Sequence, residues 1–346
     1  MSDNAPATRE PSRSPERTDT IFRIVIIALV AGVIGLGALL GYSVWQGRQE
    51  ELTATPAQRA IKDLEKSVKA APNSAATRVR LAEALAAAGS LKQANEQLAI
   101  AVKLDKNHTG AYLDLGIIAM EQKQLGRAEK YFNKVVELTQ NTQFEAMNSR
   151  REQALFHLGE IALAQKRYED AVGFFKGAIR IRKDASDTYY LLAQSLRGMG
   201  EDEAAVKQLD AALAFDPNYP EAHYLYGVIL LSQGDKINAA VHLRKAADLA
   251  PERKQPVDEL KKLGTAEDAI KSGRELLADG KKQAALDQAL LARALDPKSV
   301  AATIFYADVL VAQDSKPAAI KALKEAAVSE PANKELQSKL AELGAK

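Results

Sequence analysis

The sequence predicts an all-α protein, in which one N-terminal transmembrane helix is followed by a solenoid of about seven helical hairpins. Three observations predict this fold class. Alanine, the strongest helix former, is abundant. An uncharged apolar run lies near the N-terminus. One pattern of large and small residues recurs about every 34 residues through most of the chain.

The composition excludes several classes of protein. The 346-residue chain is 47% hydrophobic and 27% charged, which is typical of a folded protein. Its 47 basic and 45 acidic residues give a net charge of +2, so no nucleic-acid partner is expected. Because the chain has no cysteine, disulfides, iron–sulfur clusters and cysteine-ligated zinc are excluded.

The N-terminal region is predicted to hold a membrane anchor. Residues 1–20 are rich in proline, serine and charge, so they are expected to be a disordered polar tail. Residues 21–46 are predicted to form a transmembrane helix, because residues 24–45 are uncharged and about 20 apolar residues span a bilayer. The lipid bilayer is therefore an expected partner of this segment.

The length of the apolar run favours an uncleaved anchor over a signal peptide, whose apolar region has roughly 7–15 residues. Gly37 and Gly41 form a GxxxG motif that could pair two anchors in a homodimer, although such residues are also common in unpaired membrane helices. Four arginines precede the run and three basic residues follow it, which favours a cytoplasmic N-terminus. The protein is thus expected in the plasma (inner) membrane, with its folded part outside the cytoplasm.

The repeat begins after a linker at residues 47–55 and an N-terminal capping helix at 56–74. Each unit places Gly or Ala at its eighth position and Ala at its twentieth, as Gly227 and Ala239 show in the unit that starts at Pro220. Small residues at these positions let two antiparallel helices cross closely. The seven units are predicted at 75–108, 109–142, 152–185, 186–219, 220–253, 266–299 and 300–333.

The ends of the array and its irregular positions are also predicted from the pattern. Residues 334–346 are expected to contain a C-terminal capping helix, because the outer face of a terminal element must be polar. Residues 143–151 and 254–265 interrupt the register, and the first insertion is expected to extend a helix by about two turns. Glycines at or beside the turns within units are expected where a helix end needs positive φ, namely Gly89, Gly126, Gly200 and Gly234.

These spacings resemble the tetratricopeptide repeat family, and the architecture resembles its membrane-anchored bacterial members. The resemblance covers about residues 75–333, although no unit has the tryptophan that the family carries at the fourth position. It implies a right-handed superhelix whose first helices line a concave groove. The inward positions are Leu113, Ile117, Met120, Phe156, Leu163, Tyr190, Gln194, Arg197, Tyr224, Val228, Leu231, Ile304 and Val311. These side chains are expected to bind a peptide or to pack between units, and the pattern does not choose between the two.

No residue pattern points to catalysis. The chain has no phosphate-binding loop, nucleophile elbow or dinucleotide fingerprint, and the repeats and caps leave no room for a catalytic module. The histidines lie at different repeat positions and are predicted to be structural, without a metal or cofactor, at His108, His157, His223 and His242. The protein is therefore not expected to be an enzyme.

The expected function is that of a membrane-anchored scaffold or adaptor, which binds a partner protein or peptide in the concave groove. An alternative is an extracytoplasmic assembly factor or holdase for secreted or envelope proteins, similar to anchored relatives in cytochrome c maturation or at the translocon. A mitochondrial import receptor is less favoured, because the lysine and asparagine with which some relatives clamp a C-terminal carboxylate are absent.

Overall fold

The computed structural model describes residues 28–29, 31–45, 55–141 and 147–345. Within these residues the regular secondary structure is helical and contains no strand, which confirms the all-α prediction. The predicted tail at 1–20 lies outside the described residues, as does the linker apart from Thr55.

The described part of the predicted anchor is helical over residues 31–45, and its side chains are exposed. Residues 21–27, 30 and 46 of the predicted span lie outside the described part. Across the described ranges, no helix has both the length and the apolar character that crossing a bilayer requires.

The chain divides between Lys106 and Asn107 into two compact units. The first unit contains α1 (Pro56–Ala70) and one hairpin, formed by α2 (Ala75–Ala87) and α3 (Leu91–Leu104). Helix α1 starts at a reciprocal capping box, in which Thr55 accepts from the backbone of Gln58 and the Gln58 side chain accepts from that of Thr55. It packs on α2.

The second unit contains six hairpins and two further helices. The hairpins are α4 (Thr109–Glu121) with α5 (Leu125–Thr139), α6 (Ser149–Ala164) with α7 (Tyr168–Ile181), α8 (Ser186–Gly198) with α9 (Asp202–Phe215), α10 (Pro220–Ser232) with α11 (Lys236–Leu249), α13 (Ala266–Ala278) with α14 (Lys282–Leu295), and α15 (Val300–Ala312) with α16 (Lys316–Ser329). The further helices are α12 (Lys254–Lys262) and α17 (Lys334–Glu342). The prediction of about seven hairpins is confirmed, and consecutive hairpins of this unit pack on one another.

Glycine at the eighth repeat position has a steric cause. At Gly159 an added Cβ would lie 2.5 Å from Cε1 of Phe175, and at Gly227 it would lie 2.6 Å from Cγ of Leu243. The facing large side chains are fully buried, and glycine at this position leaves room for them against the first helix.

The turn within a hairpin ends its first helix in the left-handed backbone region. Gly89, Gly200 and Gly234 take φ values of 78°, 81° and 84° there, as expected for glycine. Gly126 instead lies in the first turn of α5, and Lys123 carries the positive φ of that hairpin, at 58°. A lysine thus occupies a conformation that glycine adopts without steric cost.

The two insertions differ in structure. Helix α6 begins at Ser149 and has 16 residues, whereas α4 has 13, so its described extension is under one turn, shorter than the two turns expected. Residues 142–146 lie outside the described part. The second insertion forms a separate helix, α12, that the sequence analysis did not predict. Helix α12 packs on α11 and buries Pro256 and Leu260.

Helix α12 changes the packing of the array locally. Consecutive first helices pack together at α4–α6, α6–α8, α8–α10 and α13–α15, whereas any contact between α10 and α13 is weaker than these. The second helices α11 and α14 do pack on each other. At the other junctions of this unit a second helix packs on the next first helix, as α9 does on α10, so the regular packing is interrupted at α12.

Candidate functional site

The predicted groove residues differ in exposure. Leu113 is 6% exposed and packs in a core cluster with Phe132 and Leu158, while Gln194 is exposed. The others are partly buried on the first helices, namely Ile117, Met120, Phe156, Leu163, Tyr190, Arg197, Tyr224, Val228, Leu231, Ile304 and Val311. Most of these side chains therefore pack partly against the core and are partly exposed to solvent.

Two of these residues line a common cavity of about 260 Å³. Tyr190 comes from α8 and Tyr224 from α10, and Glu221 lies one turn before Tyr224. We call this cavity the tyrosine pocket. Its full lining is Tyr190, Pro220, Glu221, Tyr224, Ala246, Arg253, Gln255 and Pro256. Since Gln255 and Pro256 belong to α12, the unpredicted helix forms one wall.

An ion pair lies at the rim of the tyrosine pocket. Nη2 of Arg253 lies 2.5 Å from Oε1 of Glu221, and these side chains are 44% and 30% exposed. A pair this exposed contributes little to stability but holds both side chains in place beside the cavity. Charge of both signs is thus available to a ligand.

A further tyrosine, Tyr219, lies beside Tyr190 without lining the pocket. The ring of Tyr190 lies 5.2 Å from that of Tyr219, centroid to centroid. Burial, and next the Glu221 carboxylate, raises the pKa of Tyr190 above its ordinary value of 10. Burial also raises the pKa of Tyr219. Both phenols are therefore protonated at neutral pH and can donate hydrogen bonds.

A larger cavity of about 560 Å³ lies elsewhere on the second unit. It is bounded by α11, α12 and the segments that precede α13 and α15, and Arg244 donates from its guanidinium to the carbonyl of Leu295 at its edge. No predicted groove residue lines this cavity, and its charged side chains are of both signs. Because two predicted residues converge on the tyrosine pocket, that pocket is the better candidate for partner binding.

The structure also brings together two histidines that the sequence analysis treated separately. Nδ1 of His223 on α10 lies 3.0 Å from Nδ1 of His242 on α11. Nε2 of His223 lies 3.1 Å from the carbonyl oxygen of Pro217, and the ring of Tyr226 stacks on His242 at 4.1 Å.

A signal for the pair was present in the repeat itself. The histidines are 19 residues apart, at the fourth and twenty-third positions of a unit. Arg78 and Gln97 have the same spacing and share a hydrogen bond of 2.8 Å, and the rings of Tyr112 and Tyr131 lie 6.4 Å apart. Side chains at these two positions meet across a hairpin. In the described part of the chain, no group of three or more His, Cys, Asp or Glu residues could hold a metal ion.

Comparison with protein families identifies the repeat. Family models described as tetratricopeptide repeat match residues 79–141, 162–229, 220–253 and 270–334. Together these matches cover more than half of the 346 residues. They include both α8 and α10, which carry the tyrosines of the pocket.

Curated relatives and a solved structure share the repeat region. Human DnaJ homolog subfamily C member 3 is 24% identical over 228 residues, which are 64% of this chain and 45% of that protein. The tetratricopeptide repeat and J domain-containing co-chaperone DNJ1 of Cryptococcus neoformans var. grubii is 28% identical over 138 residues, 40% of this chain and 26% of that protein. This chain spans less than half of the length of either relative.

The crystal structure of YrrB, described as a TPR protein with an unusual peptide-binding site, has the same fold. The two superpose with a TM-score of 0.51 at 19% sequence identity, over 58% of this chain and 100% of YrrB. This likeness supports the hairpin architecture of the solenoid.

Proposed function

Because the chain belongs to the tetratricopeptide repeat family, we propose that it is a scaffold or adaptor whose activity is binding a partner protein or peptide, without catalysis. Stacked helical hairpins present an extended surface suited to protein–protein interaction. The tyrosine pocket is the proposed centre of that surface. The single observation that carries this proposal is the convergence of Tyr190 and Tyr224 on one cavity beside a charged rim.

The size of the pocket favours a peptide side chain over a complete small molecule. Ligand pockets for small molecules have about 300–1,000 Å³, and the tyrosine pocket has about 260 Å³. One apolar or aromatic side chain of a bound segment would fill such a cavity. Tyrosine walls offer a large contact area with little loss of side-chain entropy.

The polar groups of the pocket suit a polypeptide backbone. Tyr190 is protonated at neutral pH and can donate to a peptide carbonyl, while Glu221 can accept from a peptide N–H. The exposed ion pair with Arg253 supplies charge for selectivity at the rim. Side chains of the protein alone could therefore hydrogen-bond both polar groups of a peptide bond in this pocket.

Site-specific crosslinking tests this proposal. The photoreactive residue p-benzoylphenylalanine would replace Tyr224 in the full chain, with a control at Val241, which is 50% exposed on α11. A partner crosslinked from Tyr224 and absent from Val241 supports the proposal. The double variant Tyr190→Ala/Tyr224→Ala should then lose that partner. Retention of every partner by the double variant would contradict a role for the pocket.

A second candidate function is that of an assembly factor or holdase chaperone for secreted or envelope proteins. It is supported by the curated relatives, one named a DnaJ homolog and one a co-chaperone. The partner would then be an unfolded client. Purified protein should suppress the aggregation of a thermally unfolded test enzyme, and suppression should weaken in Tyr190→Ala/Tyr224→Ala. No effect on aggregation, together with a specific folded partner in the crosslinking experiment, would select the adaptor function.

We also propose that residues 24–45 anchor the protein in the plasma (inner) membrane, with the repeats outside the cytoplasm. The uncharged sequence of this segment and the basic residues before it support the proposal. Protease added to spheroplasts should digest the repeats. If the repeats are protected until the cells are lysed, the orientation is the opposite of the one proposed. Recovery in the soluble fraction would exclude the anchor. Crosslinking between Gly37→Cys chains, compared with Leu39→Cys chains on the opposite helix face, tests pairing through Gly37 and Gly41.

A further inference from the structure

We propose that His223 and His242 bind one divalent transition-metal ion, of the class that includes Zn²⁺, Ni²⁺ and Cu²⁺, through their Nδ1 atoms. The two imidazoles project from the antiparallel helices α10 and α11 toward each other. Imidazole nitrogen is a preferred ligand for these ions. This site is separate from the tyrosine pocket and does not depend on peptide binding.

The separation of the two nitrogens suits a shared ion. Imidazole nitrogens lie about 2.0–2.1 Å from a bound zinc, so two on one ion are about 2.8–3.4 Å apart for angles between 90° and tetrahedral. The observed distance between the two Nδ1 atoms is 3.0 Å. The fold of the hairpin therefore already holds both ligand atoms at the required spacing.

The second nitrogen of His223 determines which atom can act as a ligand. Nε2 of His223 lies 3.1 Å from the carbonyl oxygen of Pro217, so it must carry the proton and donate to that oxygen. Nδ1 of the same ring then has a free lone pair. Metal-binding histidines usually donate their other N–H to a carbonyl or carboxylate in this way.

The local environment keeps both rings in the neutral form that binds metal. Burial lowers the pKa of His223, and it lowers that of His242 to about 4. Without an ion, Nδ1–H of His242 donates to Nδ1 of His223. When an ion binds, this proton moves to Nε2 of His242, so that the ring stays neutral and its Nδ1 lone pair is free. Of the charged groups nearby, Lys245 opposes a cation, whereas Asp216 and Asp210 favour one.

The remaining coordination positions of the ion are assigned to water. Asp210 accepts a hydrogen bond of 2.9 Å from the hydroxyl of Tyr226, whose ring stacks on His242, so this carboxylate orients the ring beside the site. No third histidine, cysteine or carboxylate completes a metal-binding group among the described residues. The ion should therefore bind reversibly and with open positions.

Titration calorimetry of the untagged, metal-free full chain with Zn²⁺ and Ni²⁺ tests the proposal at pH 7.5. One ion should bind per chain, and the thermal midpoint should rise with ion concentration, because an ion that binds only the folded state stabilises it. His223→Gln and His242→Gln should each reduce the affinity at least tenfold. The matched control is His157→Gln, since His157 contacts Phe132 and Glu160 outside this site.

Nitrogen NMR of the histidine rings gives a second readout that does not depend on variant stability. Zinc should shift the Nδ1 resonances of His223 and His242, leave Nε2 of His223 protonated, and move the proton of His242 from Nδ1 to Nε2. Absence of binding to the wild-type chain would overturn the proposal. So would unchanged binding in both glutamine variants, loss of binding only in His157→Gln, or zinc-dependent shifts confined to other histidines.

Discussion

Cε1 of Phe132 lies 2.5 Å from the point where a β-carbon on Gly116 would be. The same relationship, at the same distance, joins Phe175 to Gly159 in the next hairpin. Both phenylalanines are fully buried. In these two hairpins, the absence of a β-carbon therefore lets the phenylalanine ring lie directly against the backbone of the first helix.

Replacing Gly159 by alanine should destabilise the protein by about 1–3 kcal/mol, because the added methyl group overpacks the contact with Phe175. Gly173→Ala is the control, because no atom lies within 4 Å of its added β-carbon. That variant should gain about 0.5–1 kcal/mol from helix propensity. Urea unfolding followed by circular dichroism measures both. Equal effects of the two substitutions would show that Phe175 moves aside at little cost.

Lys166→Gly should stabilise the turn between α6 and α7. Lys166 has a φ of 60°, and the left-handed region costs a side-chain-bearing residue roughly 1–2 kcal/mol. After the entropy that glycine loses on folding, we expect a net gain of up to about 1 kcal/mol. Lys176→Gly, on the exposed face of α7, should instead lose about 1 kcal/mol. A loss in both variants would mean that the Lys166 side chain stabilises the turn.

Glu152 should make stability depend on pH. Burial raises the pKa of Glu152 above its ordinary value of 4.5, although Arg182, whose Nε lies 3.1 Å from Oε1, acts in the opposite direction. A carboxyl with a raised pKa binds its proton more tightly in the folded state. The wild type should therefore gain stability relative to Glu152→Gln as the pH falls from 7 through the raised pKa to below 4.5.

Urea midpoints measured between pH 7 and pH 4 test this dependence on Glu152. Glu169→Gln, an exposed carboxylate in the first turn of α7, corrects for general effects of charge removal. A stability difference between wild type and Glu152→Gln that stays constant with pH, or that shrinks on acidification, would contradict the assignment.

Thr265→Ala should cost about 1 kcal/mol by removing the capping box of α13. The hydroxyl of Thr265 accepts from the backbone N–H of Asp268, whose carboxylate accepts from Thr265 in return. Ser315→Ala is the control, because Ser315 begins α16 without a side-chain capping bond. Thermal unfolding should separate the two variants, and equal losses would show that the capping box does not stabilise α13.

The repeat could be predicted because its positions are set by local sterics. A small residue, such as Gly116 or Ala193, is required where the two helices of a hairpin cross closely, and that requirement recurs in the sequence at a fixed period. Tyr190 and Tyr224 could likewise be placed on first helices by register alone. The sequence could not predict that Leu113 is buried and Tyr190 partly exposed, because exposure depends on the packing of neighbouring hairpins.

Helix α12 could not be predicted from the period that identified the hairpins, because it belongs to no repeat. Its apolar residues are few, and only Pro256 and Leu260 become buried. The pairing of His223 with His242 depends on a contact between two helices, so it cannot be inferred from the position of either histidine by itself. Comparison of the fourth and twenty-third positions across units would have indicated it.

Helix α12 makes one position in the repeat array different from the others. In a row of equivalent repeats, an extended ligand shifted by one hairpin meets nearly the same backbone geometry, so its position is poorly defined. A single helix that occurs once, beside Tyr224, breaks this translational equivalence at one point. A ligand that contacts α12 can therefore dock in only one register along the array.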